Sequence, residues 1–328
     1  PAATSPIYSG PITIGVTDVE IKAIAMHSSL DASKIVDSAP FVVKASAPVL
    51  DPVGGTFTSE AVITAFSATV GAEIRCTLDG SDPTTDTPSI TSPTDRTSTI
   101  SVTRTGSVVK CLATSPSLSA SDVTSMDSPI VIKASMPTMT PDGGDFTNQA
   151  SVVMSCSTPG CTIRYTTDGS MPVPTSILYT KPVVVTTSGT VLKCIAVADG
   201  KSASDVAASN VFTVHASAPT FQATGTAWRI QDEVEEDYVE KANITMESKT
   251  ADAVIVYTVD GSEPTGEHGT KYLAPYEDTR YGQETIKAIS FAKGMLPSPV
   301  STSVIYDIIH KAPMPAITPD SGGPFTDH

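Results

Sequence analysis

Residues 161–200 read CTIRYTTDGSMPVPTSILYTKPVVVTTSGTVLKCIAVADG. Over 161–167, Ile163 and Tyr165 alternate with Arg164 and Thr166, the period-two pattern of a half-buried strand. Asp168-Gly169 follows, a pair suited to a tight hairpin because glycine accepts positive φ. Val183, Val184 and Val185 form a β-branched run within 182–187, and Ser188-Gly189 turns it into a second run over 191–197. Asp199-Gly200 turns the chain again, and 211–215 closes the stretch. Ahead of it, 150–155 alternates weakly and is followed by the turn Thr158-Pro159-Gly160. Seven short strands of this kind predict a two-sheet sandwich with Greek-key connections.

The same pattern recurs along the chain. The ending IKAIA at 21–25 returns as VKCLA at 109–113, LKCIA at 192–196 and IKAIS at 286–290. The turn DGS at 168–170 returns at 79–81 and 260–262. Pro48, Pro137, Pro219 and Pro315 open successive units roughly every 90 residues, a little under the ~100 of an immunoglobulin-like sandwich. The chain is therefore expected to be all-β: tandem immunoglobulin-like Greek-key sandwiches, three complete units at 46–134, 135–216 and 217–311. Residues 1–45 form the C-terminal half of a unit, and 312–328 supply the opening strand of another. Each boundary is short and carries a proline, which favours stiff joints.

With its repeats laid out, the sequence resembles the chitobiase/β-hexosaminidase C-terminal domain family, whose members carry a YYTxDGSxPT…Y…I…ikAia…g…S signature on a small immunoglobulin-like sandwich. The resemblance rests on 163–172 and 179–204 and on their repeats, and covers nearly the whole chain. It implies the fold. For function it implies only company, since such domains sit beside glycosidase catalytic domains, in adhesins and in long surface proteins.

Composition narrows the function. The 328 residues include 35 acidic and 20 basic side chains, a formal net charge of −15. Nucleic-acid binding needs a basic face, so it is not expected. No stretch has the roughly 18 apolar residues of a membrane helix. Pro1 implies a processed chain or a window on a longer one, and no signal segment opens it.

The candidate chemistry is sparse. Asp79, Asp82 and Asp86 lie close in sequence, but only one unit offers the cluster, and calcium wants six to eight oxygens; hairpin turns explain the Asp-Gly-Ser motifs better. The acidic run 232–237 lacks an apolar wall to raise a carboxylate pKa and reads as a solvated loop. None of His27, His215, His268, His310 and His328 has metal-ligand spacing, and surface linkers account for His215 and His310. No catalytic residue, metal or cofactor is expected.

Cysteine is more telling. Cys76 stands where Tyr165 and Tyr257 stand in other units, and Cys111 matches Cys194. The two strands are neighbours in one sheet, so a Cys76–Cys111 disulfide is expected. In the next unit either Cys156 bridges Cys161, leaving Cys194 facing Tyr165, or Cys156 bridges Cys194, leaving Cys161 free. Bridges imply an oxidising, extracellular or cell-surface setting. Asn243-Ile244-Thr245 is an N-glycosylation sequon, and the Ser/Thr-rich loop 84–97 suits O-glycans. Trp228 is expected in a core or a joint.

These readings predict a non-enzymatic structural or adhesive repeat protein, part of a fibre or filament assembled end to end. The alternative is a carbohydrate-binding accessory array of a secreted glycoside hydrolase, with an exposed aromatic platform. Glycans, flanking repeats of the same polypeptide and further copies of the chain are the expected partners. The strands at 12–14 and 21–25 put Ile12, Ile14 and Ile21 on faces that need a facing sheet, and Phe325 stands where Phe57 and Phe146 stand in complete units. Joining tail to head would still lack the counterparts of 150–171.

Overall fold

A computed structural model describes residues 1, 2, 4–91, 95–126, 128–228 and 236–309; side chains at 226–228, 236–240, 306 and 309 are outside the description. Every named element is a strand.

In the first complete unit, Val49–Asp51, Ala61–Phe66 and Thr97–Val102 form one antiparallel sheet, and Glu73–Thr77, Lys110–Thr114 and Thr124–Ser125 form the other. The pairing of Ala61–Phe66 with Thr97–Val102 skips the intervening strand, which crosses to the opposite sheet. That crossover is the Greek key. Burial follows the pleat: Ala61, Ile63 and Ala65 are buried while Val62 and Phe66 are exposed. Leu50, Ile63, Ile100 and Val102 meet Ile74, Val109 and Cys111 across the gap. Val152, Met154, Val183 and Val185 do the same with Ile163, Leu192 and Cys194 in the second unit. In the third, Ala242, Ile244 and Met246 face Ile255, Ile286 and Ala288.

The first two units share a further device. Their opening strand breaks in two, and its second half pairs in parallel with the last strand: Gly55–Thr58 with Ile130–Lys133, and Gly144–Thr147 with Phe212–His215. Parallel neighbours need a long crossover, and here the whole unit is that crossover. With the break and the short strands Ile177–Leu178 and Ala207–Ala208 counted, the second unit has nine strands, against the seven expected.

Two expectations about turns and loops are corrected. Asp168-Gly169 does not make a two-residue hairpin. Thr162–Thr166 pairs with Ile177–Leu178 across a long loop, and Asp168 shapes only its start. The acidic stretch is not wholly a loop, because Glu236–Glu247 is a strand. It pairs with Thr220–Trp228 on one side, with Tyr276–Asp278 on the other, and by its first residues in parallel with Tyr306–Ile309. Backbone pairing to the last strand overrides local charge. In this unit a long hairpin does what a broken opening strand does in the others.

Among the described residues the segment before Ala45 holds one antiparallel pair of strands, Lys22–Ala23 with Val36–Asp37, and isolated antiparallel bridges join Val19 to Phe41 and His27 to Leu30. The register Lys22↔Asp37 reproduces Lys110↔Ser125 and Lys193↔Ala208. The expected strand at 12–14 does not form. Its counterpart Val183–Val185 is a strand because Ala150–Val152 pairs with it, and the described residues offer 12–14 no such neighbour. The expected strand at 21–25 is likewise shorter.

Candidate functional site

The feature that recurs most closely is the joint between units. At each joint the last strand of one unit runs on and pairs in parallel with a turn of the next: Lys44 with Ser119, Lys133 with Ser202, and His215 with Leu296. Ser119, Ser202 and Leu296 donate their backbone N–H to the carbonyls of Val43, Ile132 and Val214 at 2.9, 2.8 and 2.8 Å. Ala45, Ala134 and Ala216 donate back to Ser119, Ser202 and Leu296 at 2.9, 3.0 and 3.0 Å. A third backbone bond runs from Thr17, Thr105 and Ser188 to the carbonyls of Ser117, Gly200 and Gly294. The three alanines are buried, which only a small side chain permits at this closeness.

A hydroxyl completes each joint. Ser46, Ser135 and Ser217 donate their N–H to the Oγ1 of Thr69, Thr158 and Thr250 at 2.8, 2.7 and 2.7 Å. Thr158 and Thr250 are buried, so these bonds satisfy amides with little recourse to water. Lys44–Asp122 and Lys133–Asp205 add ion pairs at 2.6 and 2.7 Å, each exposed and worth at most about 1 kcal/mol. At the third joint Pro299 stands in place of the aspartate, and the His215 Nδ1 donates instead to the Pro297 carbonyl at 3.1 Å. His215 therefore holds at the third joint the position that Lys44 and Lys133 hold at the others.

The structure bonds Cys76 to Cys111, opposite each other in the sheet with Cα atoms 4.2 Å apart. It also bonds Cys156 to Cys161, across the turn that carries Thr158. Cys194 is left as a buried free thiol opposite Tyr165, and burial pushes its pKa up to about 11. Cys156 holds the position of Ser67 and Ser248, whose hydroxyls donate to the Ser46 and Ser217 carbonyls. The second disulfide thus sits where the other units brace a joint with serine. Sequence reading found the cysteines but not this placement, because the signal lies in comparing Ser67, Cys156 and Ser248 across units.

The Asp-Gly-Ser turns are built alike. Asp79, Asp168 and Asp260 accept the N–H of Ser81, Ser170 and Ser262 at 3.0, 3.0 and 3.1 Å, and their hydroxyls as well. Those serine hydroxyl and amide donors hold each carboxyl below the usual aspartate value. Asp82 pairs with Lys110 at 2.6 Å, and Glu263 likewise faces Lys287. Among the described residues no cluster of three or more metal-ligating side chains occurs.

Asn243 lies in the centre of Glu236–Glu247, on its outer face and half-buried, between buried Ala242 and Ile244. Thr245 Oγ1 of the same sequon donates to the Gln222 carbonyl at 3.1 Å. Ile12 is 56% exposed, and Ile14 and Ile21 are half-buried. Phe325, His310, the tail 312–328 and the Trp228 side chain lie outside the described residues, as do parts of 84–97 and 232–237. No helix among the described residues is long and apolar enough to cross a membrane.

The family described as chitobiase/beta-hexosaminidase C-terminal domain matches residues 52–125, 141–209 and 234–302, more than half of the chain. No curated protein matches it. Among solved structures, the fibronectin(III)-like modules of Clostridium thermocellum CbhA match at 17% identity and a TM-score of 0.20, over 53% of this chain and 95% of that one. Extracellular domains 3–5 of Drosophila OTK match at 10% identity and a TM-score of 0.23, over 83% of this chain and 99% of theirs.

Proposed function

We propose, for a chain that belongs to the chitobiase/β-hexosaminidase C-terminal domain family, that its repeats form a stiff, non-enzymatic extracellular rod serving a fibre or cell surface. One observation carries this reading: the joint is built three times from the same backbone bonds, buried alanine and threonine hydroxyl. An enzyme or a loosely tethered array has no need to hold neighbouring units at one fixed angle. A structural rod does, because its length and direction depend on every joint.

Two disulfides favour an oxidising compartment, and the −15 charge keeps separate rods apart except where specific contacts form. Small-angle scattering of the purified chain, paired with electron microscopy of the native material, tests the reading. An extended particle and a filamentous or surface-attached native form are the expected result. A compact particle, or hydrolysis of a glycoside by the chain itself, would overturn it. The accessory-array alternative is separated by titrating chitin oligomers against the fluorescence of Trp228: a saturable shift at micromolar sugar would favour the array.

A further inference from the structure

Resting on the rod reading, we infer that the rod bears tension, and that in its first two units the load is held by the pair formed between the broken opening strand and the last strand. The pair is Gly55–Thr58 with Ile130–Lys133 in the first unit and Gly144–Thr147 with Phe212–His215 in the second, parallel in both. Direction decides what a pull does to such a pair. The chain enters a unit through its opening strand and leaves through its last. Tension draws the first toward its N-terminus and the second toward its C-terminus. In an antiparallel pair the two pulls meet at one end, and the ladder opens bond by bond. In a parallel pair they act at opposite ends along one axis, and every bond of the ladder is loaded at once. What resists is then the barrier to forced unfolding rather than the equilibrium stability.

The ladder is built for that load. Gly55 and Ser59 donate their N–H to the carbonyls of Pro129 and Lys133 at 3.4 and 2.9 Å, and Gly144 and Asn148 to those of Val211 and His215 at 3.1 and 2.8 Å. Ile130 and Ile132 turn their polar groups the other way, toward Thr105, Gly106 and Ser202, so Val131 and Lys133 face Gly55–Thr58. Side chains keep water from the inner side: Ile130, Ile132, Phe212 and Val214 are fully buried, and Phe146 lies 5.9 Å from Phe212. Gly54 and Gly143 set the close approach. Both have positive φ, and a Cβ on either would come within 2.5 or 2.7 Å of the Cβ of Ser128 or Asn210.

One residue in each unit ends the ladder and begins the joint. Ser59, at φ 69°, gives its N–H to Lys133, while its hydroxyl meets those of Ser135 and Thr158 and its carbonyl accepts from Lys201 Nζ at 2.6 Å. Asn148, at φ 70°, gives its N–H to His215, while its side-chain oxygen accepts from Ser217 Oγ at 2.9 Å and from Thr250 Oγ1. Ser135, Thr158 and Lys201 belong to the second unit, and Ser217 and Thr250 to the third. A load crossing either joint therefore arrives on the ladder of the unit before it. The third unit takes load differently. Among the described residues its entering strand Thr220–Trp228 reaches the last strand only through its hairpin partner Glu236–Glu247.

The test is single-molecule pulling of the full chain at constant force. Pulled from its two ends, the chain identifies its first unit by one step, which grows by about 120 Å when the Cys76–Cys111 bridge is reduced and its 35 residues are released. Pulled instead between the N-terminus and a handle on the exposed Ser128→Cys, the same unit takes both loads at one end of the ladder. Its lifetime should then fall by about tenfold or more. In end-to-end pulling, Val131→Pro removes one ladder donor and should last about tenfold less than Val131→Ala, which keeps it. Equal lifetimes in the two pulling geometries would overturn the inference whether or not Val131→Pro folds, because that comparison leaves every ladder bond in place. A proline variant that lasts as long as the alanine one would overturn it too. The rod is judged apart: a compact particle in scattering removes the rod and leaves a geometry-dependent lifetime standing, whereas an extended particle with equal lifetimes removes the load-bearing ladder alone.

Discussion

At the scale of single residues, equivalent positions in the repeats take different solutions to the same packing problem. The facing pair of the inner sheet is Cys76 with Cys111 in the first unit, Tyr165 with Cys194 in the second and Tyr257 with Ala288 in the third. A disulfide or a large-against-small pair fills the space equally. Replacing both Cys76 and Cys111 by serine removes a 35-residue cross-link and should cost about 2–4 kcal/mol, read as a lower guanidinium midpoint for the first unit alone. Cys194, with its pKa raised to about 11 by burial, stays a thiol at pH 8. Iodoacetamide should therefore label it only after unfolding, and labelling of the native chain would contradict its burial. The turn aspartates titrate the other way. Serine donors lower the folded pKa of Asp168, so its contribution is present above the ordinary value near 4 and is lost as pH falls through the depressed one. An NMR titration should place Asp168 below free aspartate, and Ser170→Ala should bring it back up.

Among the elements, the third unit departs most from its neighbours. Its long hairpin brings Glu236–Val239 against Tyr306–Ile309, and Gly282–Glu284 pairs with the same last strand. The loop between Tyr276–Asp278 and Gly282–Glu284 is tied by Arg280. Its guanidinium meets the fully buried Asp278 carboxylate through two nitrogens, at 2.9 and 2.6 Å, and Glu284 at 2.8 Å. Desolvation raises the pKa of Glu284 against the pull of Arg280. Arg280→Ala leaves a buried charge short of its main counter-ion and should destabilise this unit by about 3 kcal/mol, the low end for a broken buried pair because Arg280 is itself a third exposed. Chemical denaturation should show the loss in the third unit and spare the second.

For the whole molecule, the joints decide whether three sandwiches act as one object. Each is a short parallel addition plus one hydroxyl, and the hydroxyl is the part a point mutation can remove cleanly. Thr158→Val keeps the shape but leaves the Ser135 amide without its acceptor, a cost of about 1–3 kcal/mol where water cannot reach. The expected outcome is a wider spread of particle dimensions in scattering, with the second sandwich melting a few degrees lower and the other two little changed. An unchanged distribution would mean that the backbone bonds alone hold the angle.

Periodicity, turn chemistry and the recurrence of Asp-Gly-Ser and Ile-Lys-Ala-type segments were enough to place the strands and the sandwich, because those signals are local and repeat three times over. The facing of Cys76 and Cys111 was legible for the same reason, once equivalent positions were aligned. Position along the chain could not say which strands would find neighbours. The run Ile12-Thr13-Ile14 is as β-branched as Val183–Val185 but stays without a ladder, and the end of the acidic run 232–237 reads as a solvated loop yet Glu236 and Asp237 join one, because strand formation depends on hydrogen-bond partners supplied from far away. The same holds for the joints. The serines, threonines and alanines that build them are the commonest residues of the chain, and nothing local marks them out until the tertiary structure brings Ser135 to Thr158 and Lys133 to Ser202.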